Sequence, residues 1–407
     1  MLFRRKQIIS SGSLSQQAWK RFRKNKPAYF SMWFVVFIAV VALLGYLITP
    51  DNTPFANDQH LELAIKKPGF VVSVLLVKKN EKPVNSNIFS TMIWGRKSEY
   101  NTIPIQSYRF VGSAIIVEEY TGIEGEKWQE QKLNIADVVY ALPDKNNISE
   151  KNGMLDFVDI EGNNHHESIT ALQEKIKKRN LVKQTYLLGT DRYGRDMLSQ
   201  LMIGTRVSLS VGFISVVISI LIGLLLGSLA GFFRKGTDNV IIWLINVVWS
   251  IPTLLLVIAI TFALGKGFWQ VFVAVGLTMW VDVARIVRGQ IFSIREKEFV
   301  EAGRAMGFSN SRIIIKHILP NLMGAVIVVS AANFASAILL EAGLSFLGIG
   351  VQPPMPSWGS MIKEHYAYII LDSPYLAILP GLAIMLTVLA FMLMGNGLRD
   401  ALDAKIQ

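Results

Sequence analysis

The chain has 407 residues, 51% of them hydrophobic, a mean hydropathy of +0.38 and a formal net charge of +11. So apolar a composition excludes an ordinary soluble domain of this length and points to an integral membrane protein. The excess positive charge does not mark a nucleic-acid binder. Asp51–Tyr186 carries 17 Lys/Arg against 18 Asp/Glu and the rest of the chain 24 against 12, so the basic residues gather beside the apolar runs, as the positive-inside bias requires. Cysteine is absent, which excludes disulfides, thiolate metal sites and a cysteine nucleophile.

Met1–Pro27 carries eight Lys/Arg and no acid, and Ala28–Thr49 follows as 22 mostly apolar residues, enough to span ~30 Å of hydrocarbon. The long basic leader and the lack of a small-x-small cleavage site favour a first transmembrane helix over a cleaved signal peptide, with its N-terminus in the cytoplasm. From Asp51 to Thr185 the character changes. FVVSVLLV (Phe70–Val77), Tyr108–Tyr120 and Gly153–Gly162 read as strands or hairpin arms, and Ser168–Val182 as a helix. This is an α+β insert placed outside the cytoplasm. His165-His166-Glu167 reads as a solvated turn rather than a metal site, because no further ligand spacing accompanies it. No metal or cofactor is expected anywhere in the chain.

Leu188–Leu209 is polar and then amphipathic. Its Gly189-x-x-x-x-Gly194 spacing resembles a phosphate loop, but Arg195 and Asp196 stand where Lys and Ser/Thr are required. No ATP site is therefore expected in this chain. The second span is read at Ser208–Gly231, where Ser219, Gly223, Gly227 and Gly231 recur every four residues and form one small-residue face. Such a face lets another helix approach closely; a pore-lining groove is the alternative. The third span, Val240–Leu264, contains Pro252, which should kink it. A short external turn, Gly265–Gly267, leads to the fourth span, Phe268–Val287. There Asp282 lies three residues from Arg285 at the inner end and is explained by an intrahelical ion pair. The fifth span is read at Leu322–Leu347 and the sixth at Tyr375–Leu398, so that both termini lie inside. Asn246, Asn333 and Glu341 are polar groups within spans and the candidate lining of a translocation pathway. Glu341 is placed near the outer end of its helix, where an interfacial acid is tolerable. The proline-stiffened loop Gln352–Gly359 is expected at the external face.

Between the fourth and fifth spans lies a basic, helix-rich island, Arg285–Asn321. Glu296 and Glu298 favour the start of a short helix and Arg304 its end. Gly307 serves as the left-handed stop, Ser309 as the cap of a second helix, and Pro320 as its end or kink. Ala302, Gly303 and Ala305 make one side of the first helix small. An ordinary cytoplasmic loop is the plain alternative. A polytopic body with no ATP site and a small-faced cytoplasmic hairpin suits a transport subunit driven by a separate motor.

FVEAGRAMGFSNSRIIIKHILPN (Phe299–Asn321) resembles the EAA loop of ABC importer permeases, through Glu301-Ala302, Gly307 and Leu319-Pro320. Gly303 replaces the usual second Ala, and His317 stands where Ile is commonest. LGTDRYGRD (Leu188–Asp196), ARIVRG (Ala284–Gly289), EAGLSFLG (Glu341–Gly348) and QPPMPSWGSM (Gln352–Met361) resemble the dipeptide/oligopeptide/nickel branch, and its C-type permease in particular. The resemblance covers nearly everything except Asp51–Thr185. It implies an all-α polytopic membrane protein with six transmembrane helices, the ABC type I importer permease fold, carrying the α+β insert between helices 1 and 2. The chain would divide into a leader with the first helix (1–50), the insert (51–186) and a five-helix core (187–407) with the coupling loop 285–321. The partners implied are a homologous B-type permease in a heterodimer, two cytoplasmic ABC ATPase subunits and an extracytoplasmic solute-binding protein, in a bacterial inner membrane. Glu301, Ala302, Gly303, Arg304 and Gly307 would contact an ATPase, and the chain itself would not be an enzyme. The competing readings are a self-contained ion-coupled transporter or channel, with Glu341 as coupling group, and a membrane-anchored sensor or enzyme acting through the insert. The insert is expected to dock or gate at the external face, against the binding protein or the partner permease.

Overall fold

The computed structural model describes residues 14–82, 87–122, 129–143, 147–265 and 267–402. Residues 1–13 of the basic leader and Lys266 of the expected external turn lie outside them. Two compact units divide the chain: Met1–Ala42 with Gly204–Tyr366 and Ala377–Gln407, and Leu43–Ile203 with Ala367–Leu376.

The chain begins with α1 (Leu14–Lys24) and α2 (Lys26–Ile48). The second unit then builds β1 (Phe70–Lys78), α3 (Ile88–Trp94), β2 (Tyr100–Val111), β3 (Ala114–Glu119), β4 (Glu130–Asn134), α4 (Ile135–Val139), β5 (Ser149–Lys151), β6 (Met154–Val158), β7 (Asn164–Ser168), α5 (Ile169–Lys175) and β8 (Leu181–Tyr186). Its strands form a five-stranded sheet of order β4-β3-β2-β1-β8 and a three-stranded sheet β5-β6-β7. β1 is a continuous apolar run because both its faces are covered. Leu75 and Val77 join Ile115, Ile135, Leu155 and Leu172 in one core, while Val72 and Val74 pack with Leu63 and Tyr186 on the other side. Two local expectations fail here. The segment after Ser168 leaves the helix at Asn180, so Val182 is in β8 rather than in a helix. His165-His166-Glu167 is extended on β7 and not a turn. His165 Nε2 lies 2.8 Å from Asp159 Oδ2, and Glu167 accepts from Lys175 Nζ at 2.7 Å.

The LGTDRYGRD segment is a clasp. Asp191 accepts from the Tyr193 and Arg195 amides and from Arg195 Nε at 2.6 Å. Thr190 Oγ1 donates to the Leu63 carbonyl and accepts from the Lys66 amide. Asp196 caps the next helix, its Oδ2 accepting from the Ser199 amide at 2.8 Å. Arg195 is thus committed to Asp191 within the segment whose spacing resembles a phosphate loop. Nearby, His60 lies 3.2 Å from Asp58 and 3.5 Å from Glu62. Burial pushes the His60 imidazole down, but hydrogen bonds to the two carboxylates outweigh it and hold the pKa up at about 9.

The remaining helices are α6 (Met197–Phe233), α7 (Lys235–Ser250), α8 (Thr253–Leu264), α9 (Phe268–Ile294), α10 (Glu298–Ala305), α11 (Asn310–Ile313), α12 (Leu319–Phe346), α13 (Trp358–His365) and α14 (Tyr375–Leu402). Among the described residues, five helices are long and apolar enough to cross a membrane: α2, α6, α9, α12 together with its approach from Asn310, and α14. Phe37, Leu221 and Leu225 lie exposed on them, a surface that suits lipid and not water. The sixth expected span is broken rather than kinked. α7 and α8 meet at 95°, because Ile251 is extended and Pro252, lacking an amide hydrogen, starts a new helix. The count is therefore five spans, or six if this bent pair is one.

α6 and α9 meet along the small-residue face. A Cβ on Gly223 would lie 2.5 Å from Val283 Cβ, one on Gly227 2.6 Å from the Ala284 carbonyl, and one on Gly231 2.8 Å from Ile291 Cβ. Ser219 on the same face is fully buried. Dispersion between closely approaching backbones replaces the hydrophobic drive that lipid cannot supply.

Gly227→Val should lower the thermal unfolding midpoint in detergent, since overpacking costs about 1–3 kcal/mol. Gly236→Ala, where a Cβ would meet nothing within 4 Å, should leave it in place. For His60, the raised folded pKa means that folding favours the protonated ring. Its stabilisation is fully present below about pH 6.5 and lost as the pH rises through about 9. His60→Gln should therefore lower the midpoint near pH 6 and change it little near pH 10, as measured on the intact chain.

Candidate functional site

The Arg285–Asn321 island folds as a hairpin carried by α9 and α12. Glu298 and Glu301 lie in the first turn of α10 and Arg304 in its last. Gly307 takes φ +76°, a region costly for residues with a Cβ. The Ser309 side chain caps α11 by accepting from the Arg312 amide at 3.4 Å. Pro320 does not end the helix: α11 continues through a wider turn at Ile314–Ile318 into α12, and that wider turn, directly before the proline, accommodates the amide hydrogen it lacks.

The hairpin is fused to the spans by an apolar seam. Val300 and Ile313, both fully buried, share one core with Val287, Ile291 and Ile294 of α9, Leu322 and Val326 of α12, and Phe232. Polar clamps flank it. Arg288 holds Asp238 through two bonds of 2.6 and 2.8 Å, Arg234 pairs with Glu296 at 2.6 Å, and Arg304 lies over the Phe232 ring. The Arg234 guanidinium holds the Glu296 carboxyl below the usual carboxylate range.

The expected coupling residues divide by face. Glu301, Ala302, Arg304 and Gly307 are exposed, as is Ala305, but Gly303 is buried. A Cβ on Gly303 would lie 3.5 Å from the Phe308 ring and 3.7 Å from Ile313 Cγ1. Gly303 thus does not share the outward small face with Ala302 and Ala305. One residue along a helix turns the side chain by about 100°, which carries position 303 inward.

The three expected pathway residues are not brought together. Asn246 is exposed on α7. Asn333 lines a cavity of about 330 Å³ with Trp249, Thr278, Asp282 and Ser336, and donates to the Met279 carbonyl at 3.3 Å. Glu341 lies near the C-terminal end of α12, as read, and is fully buried. It accepts from Ser208 Oγ of α6 at 3.2 Å and from Ser345 Oγ at 2.7 Å, and Ser357 Oγ extends the chain to Ser345 at 3.3 Å. Its neighbour Trp358 is buried against Gly204, which accounts for the aromatic in the proline-stiffened loop. Asp282, read from the sequence as half of an ion pair at the inner end of its span, lies near the middle of α9, since that helix continues to Ile294. Arg285, its expected ion-pair partner, instead lies over the Trp249 ring at 3.9 Å.

Five or six apolar helices and a cytoplasm-type basic hairpin fused to two of them define a polytopic membrane permease. Residues 223–407 match the family "Binding-protein-dependent transport system inner membrane component", and residues 13–68 match "N-terminal TM domain of oligopeptide transport permease C". The chain is 41% identical over 220 residues to the glutathione transport system permease protein GsiD of Pectobacterium atrosepticum, covering 54% of this chain and 73% of that protein. It is 40% identical over 219 residues to the dipeptide transport system permease protein DppC of Alkalihalophilus pseudofirmus, covering 54% and 72%. Among solved structures, an inward-facing MetNI methionine ABC transporter chain aligns with TM-score 0.43 and 20% identity, covering 50% of this chain and 97% of that one. The chain belongs to the ABC importer permeases of the dipeptide/oligopeptide/nickel family. Neither family match includes residues 69–222, the region that contains both sheets.

Glu341→Ala should lower thermal stability by about 1–3 kcal/mol, the usual cost of leaving buried hydrogen-bonding groups unmatched. Glu341→Gln, which keeps an acceptor, should recover part of the loss in the same melting experiment.

Proposed function

We propose that the chain is one of two permease subunits of an ATP-driven importer in a bacterial inner membrane, with both termini cytoplasmic and the α+β insert outside. It would provide half of the translocation pathway for di- or oligopeptides handed over by a solute-binding protein. The names of its relatives, which transport dipeptides and glutathione, support this substrate class. A homologous B-type permease would supply the other half, and two separate ATPase subunits the hydrolysis. The division is that of the type I importer permeases: leader and first helix (1–50), insert (51–186), and core (187–407) with its coupling hairpin.

The observation that carries the reading is the hairpin's two-sided build. Its outer face offers Glu301, Ala302 and Ala305, with Arg304 at the rim, as a low-relief contact for an ATPase. Its inner face, Val300, Gly303 and Ile313, is packed into the core shared with α9 and α12. Motion of the outer face must therefore move two spans. Gly307 holds the bend, and Gly303 acts by letting the two arms close. The cavity lined by Asn333 and Asp282 is the stretch of pathway this chain supplies. Glu341 ties α6 to α12 beside it.

The test is uptake by the reconstituted transporter. Ala302→Trp on the outer face should reduce peptide uptake at least about tenfold, equivalent to about 1.4 kcal/mol of lost coupling, with membrane insertion unchanged. Gly303→Ala, whose methyl fits at 3.5 Å, should retain uptake. Normal uptake by Ala302→Trp would remove the coupling role. Transport by the purified chain alone in liposomes would favour the ion-coupled transporter instead.

A further inference from the structure

α3 has an unusual composition for its setting. Ile88, Phe89 and Trp94 are 72%, 73% and 72% exposed, and no residue of the helix is buried. At about 100° per residue, Ile88, Met92, Phe89 and Ile93 fall within one arc of about 140°, with Ser90, Thr91 and Trp94 turned away. A seven-residue helix is marginal in water, and such an apolar face needs a cover. The helix is nevertheless a defined element: Asn87 caps it by accepting from the Ser90 amide at 2.7 Å, and Gly95 ends it.

Its location says what covers it. The Arg96 amide donates to the Asn52 carbonyl at 2.9 Å, and a Cβ on Gly95 would lie 2.9 Å from that oxygen and 3.0 Å from Pro54 N. Asn52 is only four residues past Ile48, the end of the span α2. The chain does not rise away from that end. The Thr49 hydroxyl donates to the Asp51 carbonyl at 2.8 Å, and the Phe55 amide donates to Tyr46 Oη, within α2, at 3.0 Å. Ala56 packs with Tyr46 and Ile203. The C-terminal end of α3 is thereby held level with the last turn of a membrane span. The headgroup layer there is about 5–8 Å thick, and even four extended residues reach at most about 14 Å. Basic residues flank the helix: Lys78–Glu99 contains five Lys/Arg and two Glu. An apolar face that includes an aromatic, Phe89, with Lys/Arg at the margins is the composition of helices that lie in the plane of a membrane surface.

We propose that α3 is an interfacial helix that lies in the outer leaflet beside α2, with Ile88 and Phe89 among the acyl chains and Lys82 and Lys97 at the phosphates, while Arg96 is held by Glu99. It pins the insert to the bilayer at a second point besides the chain's own spans. The occupant of the apolar face is anionic-lipid bilayer and not a partner protein. The inference depends on α2 being a span and is independent of the transported substrate.

The absence of cysteine makes the test free of background. Single cysteines at Ile88, Phe89, Ser90 and, at the β2–β3 turn, Val111 would be spin-labelled in the full-length chain. The labelled chains would be placed in nanodiscs of phosphatidylethanolamine with phosphatidylglycerol. Labels at 88 and 89 should be several-fold more accessible to oxygen than to a water-soluble nickel chelate. Labels at 90 and 111 should show the reverse. Equal aqueous access at all four positions overturns the proposal. Labels at 88 and 89 shielded from both reagents overturn it in favour of a protein partner. A label on Leu43, which is exposed on α2, reports separately whether α2 is in lipid: if it is and 89 is not, only the interfacial helix is lost.

Discussion

The coupling proposed for this chain depends on one apolar seam, the packing of Val300 and Ile313 against Ile291, Ile294 and Leu322. A hairpin joined to its spans only by peptide linkers would swing freely, and a push on it would be lost in the loops. With two fully buried side chains among those of α9 and α12, the hairpin can move only if those helices move. Protein interiors are close-packed and transmit displacement rather than absorbing it. The Arg288–Asp238 and Arg234–Glu296 pairs add register at the edge of the seam. As partly exposed pairs, they add little to its strength.

Much of this was legible beforehand because the relevant signals are local. The capping serine at 309 and the glycine at 307 are set by neighbouring backbone geometry, and the structure has both as read. The four-residue spacing from Ser219 to Gly231 also needed nothing beyond helix periodicity. What was not legible depended on which way a residue faces in three dimensions. Ala302, Gly303 and Ala305 form one small set in the sequence, yet only a helix docked on Ile313 decides that 303 turns inward. Pro252 was read as a kink, although proline can equally end one helix and start another. The extended backbone at Ile251, set by its surroundings, decided for the break. In the insert, β1 was legible as a strand from its apolar run, but the cover on both its faces, and the exposed α3 tied to Asn52, became visible only in the structure.

The insert and the core also obey different rules of assembly. The sheets of the second unit bury leucine, isoleucine and valine from both faces of β1, as a water-soluble domain does. The α6–α9 contact instead relies on glycines that bring backbones to within a methyl group of each other. The same chain thus uses the hydrophobic effect where water is the solvent and close approach where lipid is. α3 is the exception that fits neither: it belongs by sequence to the insert but presents its apolar residues outward.

The two acids within spans resolve in opposite ways, and that bears on where a substrate would pass. Glu341 has Ser208 and Ser345 as hydrogen-bond donors and no exposed surface. A carboxyl so enclosed is committed to joining helices, and a passing solute could reach it only by dismantling that contact. Asp282 stands on the wall of a cavity in mid-helix and is exposed there. An acid facing lipid would be costly, which favours water or a polar protein surface beside that face of α9. In the proposed heterodimer, a second permease subunit across that cavity would meet both needs, closing the groove against lipid and leaving Asp282 and Asn333 facing a solvated path.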